Sequence, residues 1–135
     1  MREISLRTHS RSELLDITAK VADAVRESQL EQGWVTAFVT HTTAGITINE
    51  NADPDVGTDL LATLDKIVPR RGAYRHTEGN ADSHVKASLM GSSVTVPVQG
   101  GGLLLGTWQG IFFCEFDGPR TRHVVIEVVG ERAAR

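Results

Sequence analysis

The stretch GIFFCEFD, residues 110–117, is apolar on both faces of any strand it forms. Successive residues of a strand point to opposite sides, so Phe112, Cys114 and Phe116 face one way and Ile111 and Phe113 the other. Such a strand needs cover on both sides, from helices or from a second subunit. In a chain of 135 residues that requirement restricts the architecture strongly.

The rest of the last third is also strand-like: SVTVPV, GLLLGT and RHVVIEVVG, with DGPR (117–120) as the turn before the final strand. Earlier, EISLRT, WVTAFVTH (34–41) and GITINE read as strands. Leu14, Ile17, Val21, Ala22 and Val25 fall at helical spacing. That helix is expected to begin between residues 11 and 18, either at a Ser10–Glu13 capping box or later at Asp16 and Thr18. Val56, Leu60, Leu61, Leu64 and Ile67 mark a second helix, capped by Asp53 or Asp55 and stopped by Pro69. A short third helix over 82–90 carries Val85 and Leu89, with Gly91 as a left-handed stop. Interleaved strands and helices followed by a run of strands indicate an α+β fold: one domain, 1–135, with an antiparallel or mixed β-sheet sandwich and helices packed on one face.

Charge and cysteine content narrow the function classes. Lys+Arg 14 against Asp+Glu 17 leaves a net charge of −3, which argues against a nucleic-acid partner. The single cysteine, Cys114, lies among phenylalanines and reads as core in a reducing compartment. No stretch resembles a membrane span or a signal peptide, so no membrane and a cytoplasmic location are expected. The two-sided strand makes an oligomer of closed symmetry an expectation as well.

Three polar constellations carry the chemistry. THTTAGITINENADPD (40–55) places His41 at a strand end, followed by Asn49, Glu50, Asn51, Asp53 and Asp55, more than one helix cap requires. HTEGNADSH (76–84) places His76 and Glu78 on a loop and His84 in the first turn of a helix. Its spacing matches no tight zinc signature, so a metal rests on convergence of His41, His76 and His84 from separate elements. GTWQGIFFCEFDGPRTR (106–122) places Trp108 and Gln109 between glycines, and puts Arg120 and Arg122 on one side of a strand. Paired guanidinium groups suit a phosphate or carboxylate; pairing with Glu115 and Asp117 is the plainer alternative. Arg70, Arg71 and Arg75 form a second basic run beyond a helix end. QGGGLLLG fits no nucleotide loop, and His9 and His123 read as structural.

Taken in order, the three motifs resemble the YjbQ family, also called secondary thiamine-phosphate synthases, over nearly the whole chain. The resemblance implies a small cytoplasmic α+β homotrimer with its polar motifs near subunit boundaries. It implies a weak activity that joins a pyrimidine pyrophosphate to a thiazole phosphate and releases pyrophosphate. It points to His41, His84, Glu78 and Asp53 as catalytic, and to His41, His76 and His84 as ligands of a possible divalent metal, zinc or magnesium. Asn49, Glu50, Asn51, Asn80, Lys86, Trp108, Gln109 and Arg120 become substrate-binding, with Ser83 and Glu115 also in the pattern. Carboxylates beside a phosphate substrate make more sense with a cation present, which favours the metal. A metal-dependent hydrolase of a phosphorylated small molecule and a non-enzymatic ligand-binding trimer use the same groups and stand as alternatives.

Overall fold

A computed structural model describes residues 1–134. Two antiparallel sheets lie face to face. The larger contains β1 (Arg2–Arg7), β8 (Thr121–Arg132), β3 (Leu30–Val39), β5 (Ser93–Gln99) and β6 (Gly102–Leu103), in that spatial order. The smaller contains β2 (Glu13–Asp16), β7 (Gln109–Glu115) and β4 (Ala44–Glu50), again in that order. Between them the alternating inner residues, among them Val35, Ala37, Val96, Val124 and Ile126 from one sheet and Ile46, Ile111 and Phe113 from the other, form the main core. The helix α1 (Thr18–Ser28) adds Val21, Ala24 and Val25 to the same core.

The opposite face of the smaller sheet is covered by α2 (Pro54–Ile67) and α3 (Ala81–Met90). Cys114 and Phe116 pack there with Leu14, Leu64 and Ala87. Phe113 on one side and Cys114 on the other are both 0% exposed, so helical cover satisfies the two-sided strand within a single subunit. The fold is α+β with two antiparallel sheets and three helices, as the pattern of elements indicates.

Several local expectations need correction. Residues 13–16 are a strand, with Leu14 opposite Cys114, and the first helix starts only at Thr18. The Ser10–Glu13 capping box does not form; the Glu13 carboxylate accepts the His9 backbone N–H instead, at 2.8 Å. Asp16 supplies the later start by accepting from the Thr18 backbone N–H at 2.9 Å. Gly91 ends α3 with φ 91° and ψ 165°, a positive φ with an extended ψ rather than a left-handed helical residue. Within GLLLGT only Gly102–Leu103 is strand, and WVTAFVTH belongs to a strand that ends at Val39. The second helix behaves as read: the Asp53 carboxylate accepts from the Asp55 N–H at 2.9 Å, and the helix stops before Pro69.

Candidate functional site

The strand β4 separates the candidate residues into two groups. Its first residue, Ala44, lines a depression with His41, His84, Ala87 and Ser88. Its last two, Asn49 and Glu50, line a different cavity under α2. Six residue steps of strand place these ends about 20 Å apart. Within one chain the three motifs therefore build two places rather than one.

The cavity under α2 has a volume of about 340 Å³. Leu14, Val56, Leu60, Leu61 and Phe112 give it an apolar floor, and Asn49, Asn51, Glu13, Asp16, Glu50 and Asp53 surround that floor. Among the described residues no lysine, arginine or histidine lines it. Asn51 is tied on two sides: its side-chain amide donates to Asp16 at 3.2 Å and its backbone N–H to the Trp108 carbonyl at 3.0 Å. A Cβ at Gly110 would lie 2.5 Å from the Asn51 amide nitrogen, so that glycine makes room for the asparagine. Burial works to raise the Asp16 carboxyl, but donation from Thr18 and Asn51 holds it below the usual carboxylate range. The Gln109 side-chain Oε1 accepts the Gly106 N–H at 2.8 Å, fixing the turn before β7, and the Trp108 side chain stands 62% exposed.

The histidine end is assembled from α3, the loop before it and the β7–β8 turn. His76 and His84 meet edge to face, with ring centroids 5.0 Å apart. His76 Nε2 lies 3.0 Å from Asn80 Oδ1 and 3.7 Å from a Glu78 carboxylate oxygen. Asn80 donates to Asp117 Oδ2 at 2.9 Å, and the same oxygen accepts from Arg120 Nη2 at 3.0 Å. A continuous chain of contacts thus runs from Arg120 through Asp117 and Asn80 to His76 and His84. His41 approaches His84 from the other side, across the shared depression. Its Nε2 accepts the His123 backbone N–H at 2.9 Å, and the two imidazoles stack at 6.0 Å. Burial, then the Arg122 guanidinium, then His123 lower the His41 pKa, which keeps the ring in its neutral, accepting form.

Other expected contributors are committed to the interior. The Lys86 ammonium is 1% exposed and donates to Asp65 and Asp82; Asp82 also receives a bidentate pair from Arg11 at 3.1 and 3.2 Å. Ser83 donates to the Phe116 carbonyl. Glu115 is paired with the buried Arg122, which also donates to Thr43 at 2.9 Å. Arg120 and Arg122 thus each meet a carboxylate, and only Arg120 retains a free, 53% exposed face. Asp53 is occupied as a helix cap.

Among the described residues no three histidine, cysteine, aspartate or glutamate side chains are grouped so as to hold a metal ion. His76 and His84 form a pair without a third ligand, so a single chain does not fit the divalent metal expected from three converging histidines. Arg11 enters as a support residue with no signal in the sequence, Asp16 adds a bond from Asn51 to its role at the helix start, and Asp117 adds one from Asn80. Asp117 falls in the DGPR turn, which forms with a cis Gly118–Pro119 peptide, and it pairs with Arg120 as the plainer reading of the motif expects; its bond to Asn80 has no signal in the sequence. An exposed guanidinium can bind an oxyanion, and the two imidazoles linked to it through Asp117 and Asn80 can move a proton.

The chain matches the family described as UPF0047 protein YjbQ-like over residues 2–131. It is 48% identical over 127 residues to a UPF0047 protein of Methanocaldococcus jannaschii, covering 94% of this chain and 92% of that one. It is 47% identical over 131 residues to UPF0047 protein YugU of Bacillus subtilis, covering 96% and 99%. A crystal structure of a YjbQ/UPF0047-family protein from Clostridium acetobutylicum superposes with a TM-score of 0.94 at 53% identity, covering 96% of this chain and 100% of that one. A YbjQ-like protein from Sulfolobus solfataricus gives a TM-score of 0.92 at 35% identity, covering 96% of each. With this match extending across both polar ends of the smaller sheet, the chain belongs to the YjbQ family.

Proposed function

We propose that the chain is a transferase of the thiamine-phosphate-synthase type, acting in the cytoplasm as a homotrimer. It joins a pyrimidine pyrophosphate to a thiazole phosphate and releases pyrophosphate. The observation that carries this reading is the contact chain Arg120–Asp117–Asn80–His76, with His84 against its end. As the new bond to the pyrimidine fragment forms, its bond to the pyrophosphate oxygen breaks and negative charge gathers on the leaving group. Arg120 stabilises that charge with two parallel N–H donors, and a histidine at 76 or 84 delivers a proton to the departing oxygen. Were a divalent ion to take part, it would come bound to the pyrophosphate, as phosphate-bound magnesium does, because the described residues group no three ligands for one.

The cavity under α2 suits the other part of the substrate. Its apolar floor accepts a flat ring, while the carboxylates and amides around it, with no cation among the described lining residues, receive ring amino groups and repel phosphate. A separation of about 20 Å is too long for one small substrate to bridge within a chain. A trimer that sets one subunit's cavity against its neighbour's histidines makes a single site from the two ends.

Purified protein given both substrates should release pyrophosphate in step with a condensed product, followed by mass spectrometry. Arg120→Ala should bind pyrophosphate about tenfold more weakly or worse, since a charge-assisted pair contributes roughly 1.5–3 kcal/mol. Pyrophosphate release without condensed product indicates the hydrolase, and tight binding without turnover indicates a binding protein. Pyrophosphate affinity unchanged in Arg120→Ala would leave that arginine a surface charge and remove the proposed anion site.

A further inference from the structure

We propose that Asp117 is a positioning residue: acting through Asn80, it sets which nitrogen of His76 carries the proton, and it aims the guanidinium of Arg120. The logic starts from what each group can donate. Asp117 is 17% exposed, and although burial acts to raise its pKa, the hydrogen bonds from Asn80 and Arg120 hold it below the usual carboxylate range. An ionised carboxylate only accepts. The end of the Asn80 amide that faces it, at 2.9 Å, must therefore be the NH₂ group. This leaves the Asn80 oxygen facing His76 Nε2 at 3.0 Å, and an oxygen acceptor requires Nε2–H. The Glu78 carboxylate, 3.7 Å from the same nitrogen, favours the same arrangement. In the neutral ring the lone pair is then confined to Nδ1 of His76, the atom left to accept a proton or a substrate N–H.

A second observation shows that Asn80 has been diverted to this task. It occupies the N-cap position of α3, where an asparagine side chain ordinarily accepts from the first-turn N–H groups. Here it makes no cap hydrogen bond. Only its backbone carbonyl serves the helix, accepting from Ser83 N–H at 3.0 Å. The same Asp117 clamps Arg120 twice, through its backbone carbonyl to Nε at 2.8 Å and through Oδ2 to Nη2 at 3.0 Å. One carboxylate thus coordinates the anion-binding group and the proton-carrying group.

The inference rests on the proposed transferase for its purpose, but the tautomer is measurable without substrate. The readout is the ring-nitrogen spectrum of His76 in ¹⁵N-labelled full-length protein at alkaline pH, where imidazoles are neutral. The parent should show Nε2–H alone. Asp117→Ala should release the Asn80 amide and turn His76 into a mixture of both tautomers. Asp117→Asn should keep Nε2–H, because its carbonyl oxygen still accepts from Asn80. Asn80→Ala should give the same mixture, which keeps the test decisive if Asp117→Ala does not fold. A mixture already present in the parent, or parent-like spectra in both alanine variants, would overturn the inference while leaving the transferase reading intact. Turnover that persists unchanged when the tautomer shifts would instead count against the transferase reading.

Discussion

Glu115 shows how one side chain holds the two sheets in register at their polar edge. It is fully buried and accepts from Thr8 Oγ at 2.7 Å, Arg122 Nε at 2.8 Å and the backbone N–H groups of Phe116 and Asp117, each at 3.1 Å. Burial alone would raise its pKa, but the bonds from Arg122, Thr8 and the backbone outweigh it and hold the carboxyl low. A carboxyl lowered in the folded state contributes stability that is present above its unfolded pKa, about 4.3. That contribution disappears as pH falls through the lower, folded value. Glu115→Gln should cost about 3–5 kcal/mol at neutral pH, because it leaves the Arg122 charge buried without its counter-ion. Denaturant titrations at pH 7 and at progressively lower pH measure this, and the gap between parent and variant should narrow in acid. A gap that stays constant down to the acid transition would mean that the carboxylate charge contributes nothing. The inward direction of Arg122 was readable, since it alternates with Val124 and Ile126 on the buried face of β8. Pairing with Glu115 or Asp117 is the plainer reading of the motif, but that the bond would be buried between two sheets was not legible, because that depends on how the sheets stack.

At the scale of elements, the close approach of α3 to β4 fixes where His84 stands. A Cβ on Gly45 would lie 2.8 Å from the Gly91 carbonyl oxygen and 3.1 Å from Met90 Cβ. Both neighbours belong to the end of α3, and a backbone oxygen cannot swing aside as a side chain can. Gly45→Ala should push the helix end away from the strand and destabilise the fold by about 1–3 kcal/mol, the usual cost of overpacking. A thermal melt reads the loss. Pyrophosphate titration should show weakened binding too, since His84 rides on the same helix; unaltered melting and binding would mean that α3 has slack at this contact. Long elements with one clear period were legible in the sequence: α2 with its aspartate cap and proline stop, and most of the strands. β2 was not. Leu14 continues the helical spacing of Ile17, Val21 and Val25, so periodicity leaves any start between residues 11 and 18 open and does not show that residues 13–16 pair with β7. A cross-strand partner a hundred residues away decided the matter, and no local pattern reports it.

For the whole molecule, the two-sided strand that argues for a partner is covered by α2 and α3, so the case for a trimer has to rest on a different surface. Among the described residues no helix covers the outer face of the larger sheet, which presents Trp34 (54% exposed) beside Val129 (65%) and, farther along β3, Phe38 (39%). Leu104, near the edge of that sheet, is 55% exposed. A three-fold ring joins unlike patches, so the homotrimer of the proposed function is expected to seat this face, with the end of β3 that leads to His41, against the α2 cavity side of the neighbouring subunit. A standard interface takes about 800 Å² from each partner, and a three-fold ring takes two such patches from each subunit, out of the 7909 Å² this chain exposes in all. The sequence made the family and its polar motifs legible, but not that they separate to opposite ends of β4, because linear order says nothing about distance. If a single site forms between subunits, oligomerisation and turnover must fail together. Sedimentation at micromolar concentration should give three copies for the parent and one for Trp34→Glu, whose charge is placed where the apolar face must be buried. The variant monomer should keep its circular dichroism spectrum and lose condensation of the two substrates. A parent that sediments as a monomer removes the trimer and leaves the acidic cavity and the histidine end as separate sites. A Trp34→Glu protein that stays trimeric and active moves the interface to another face.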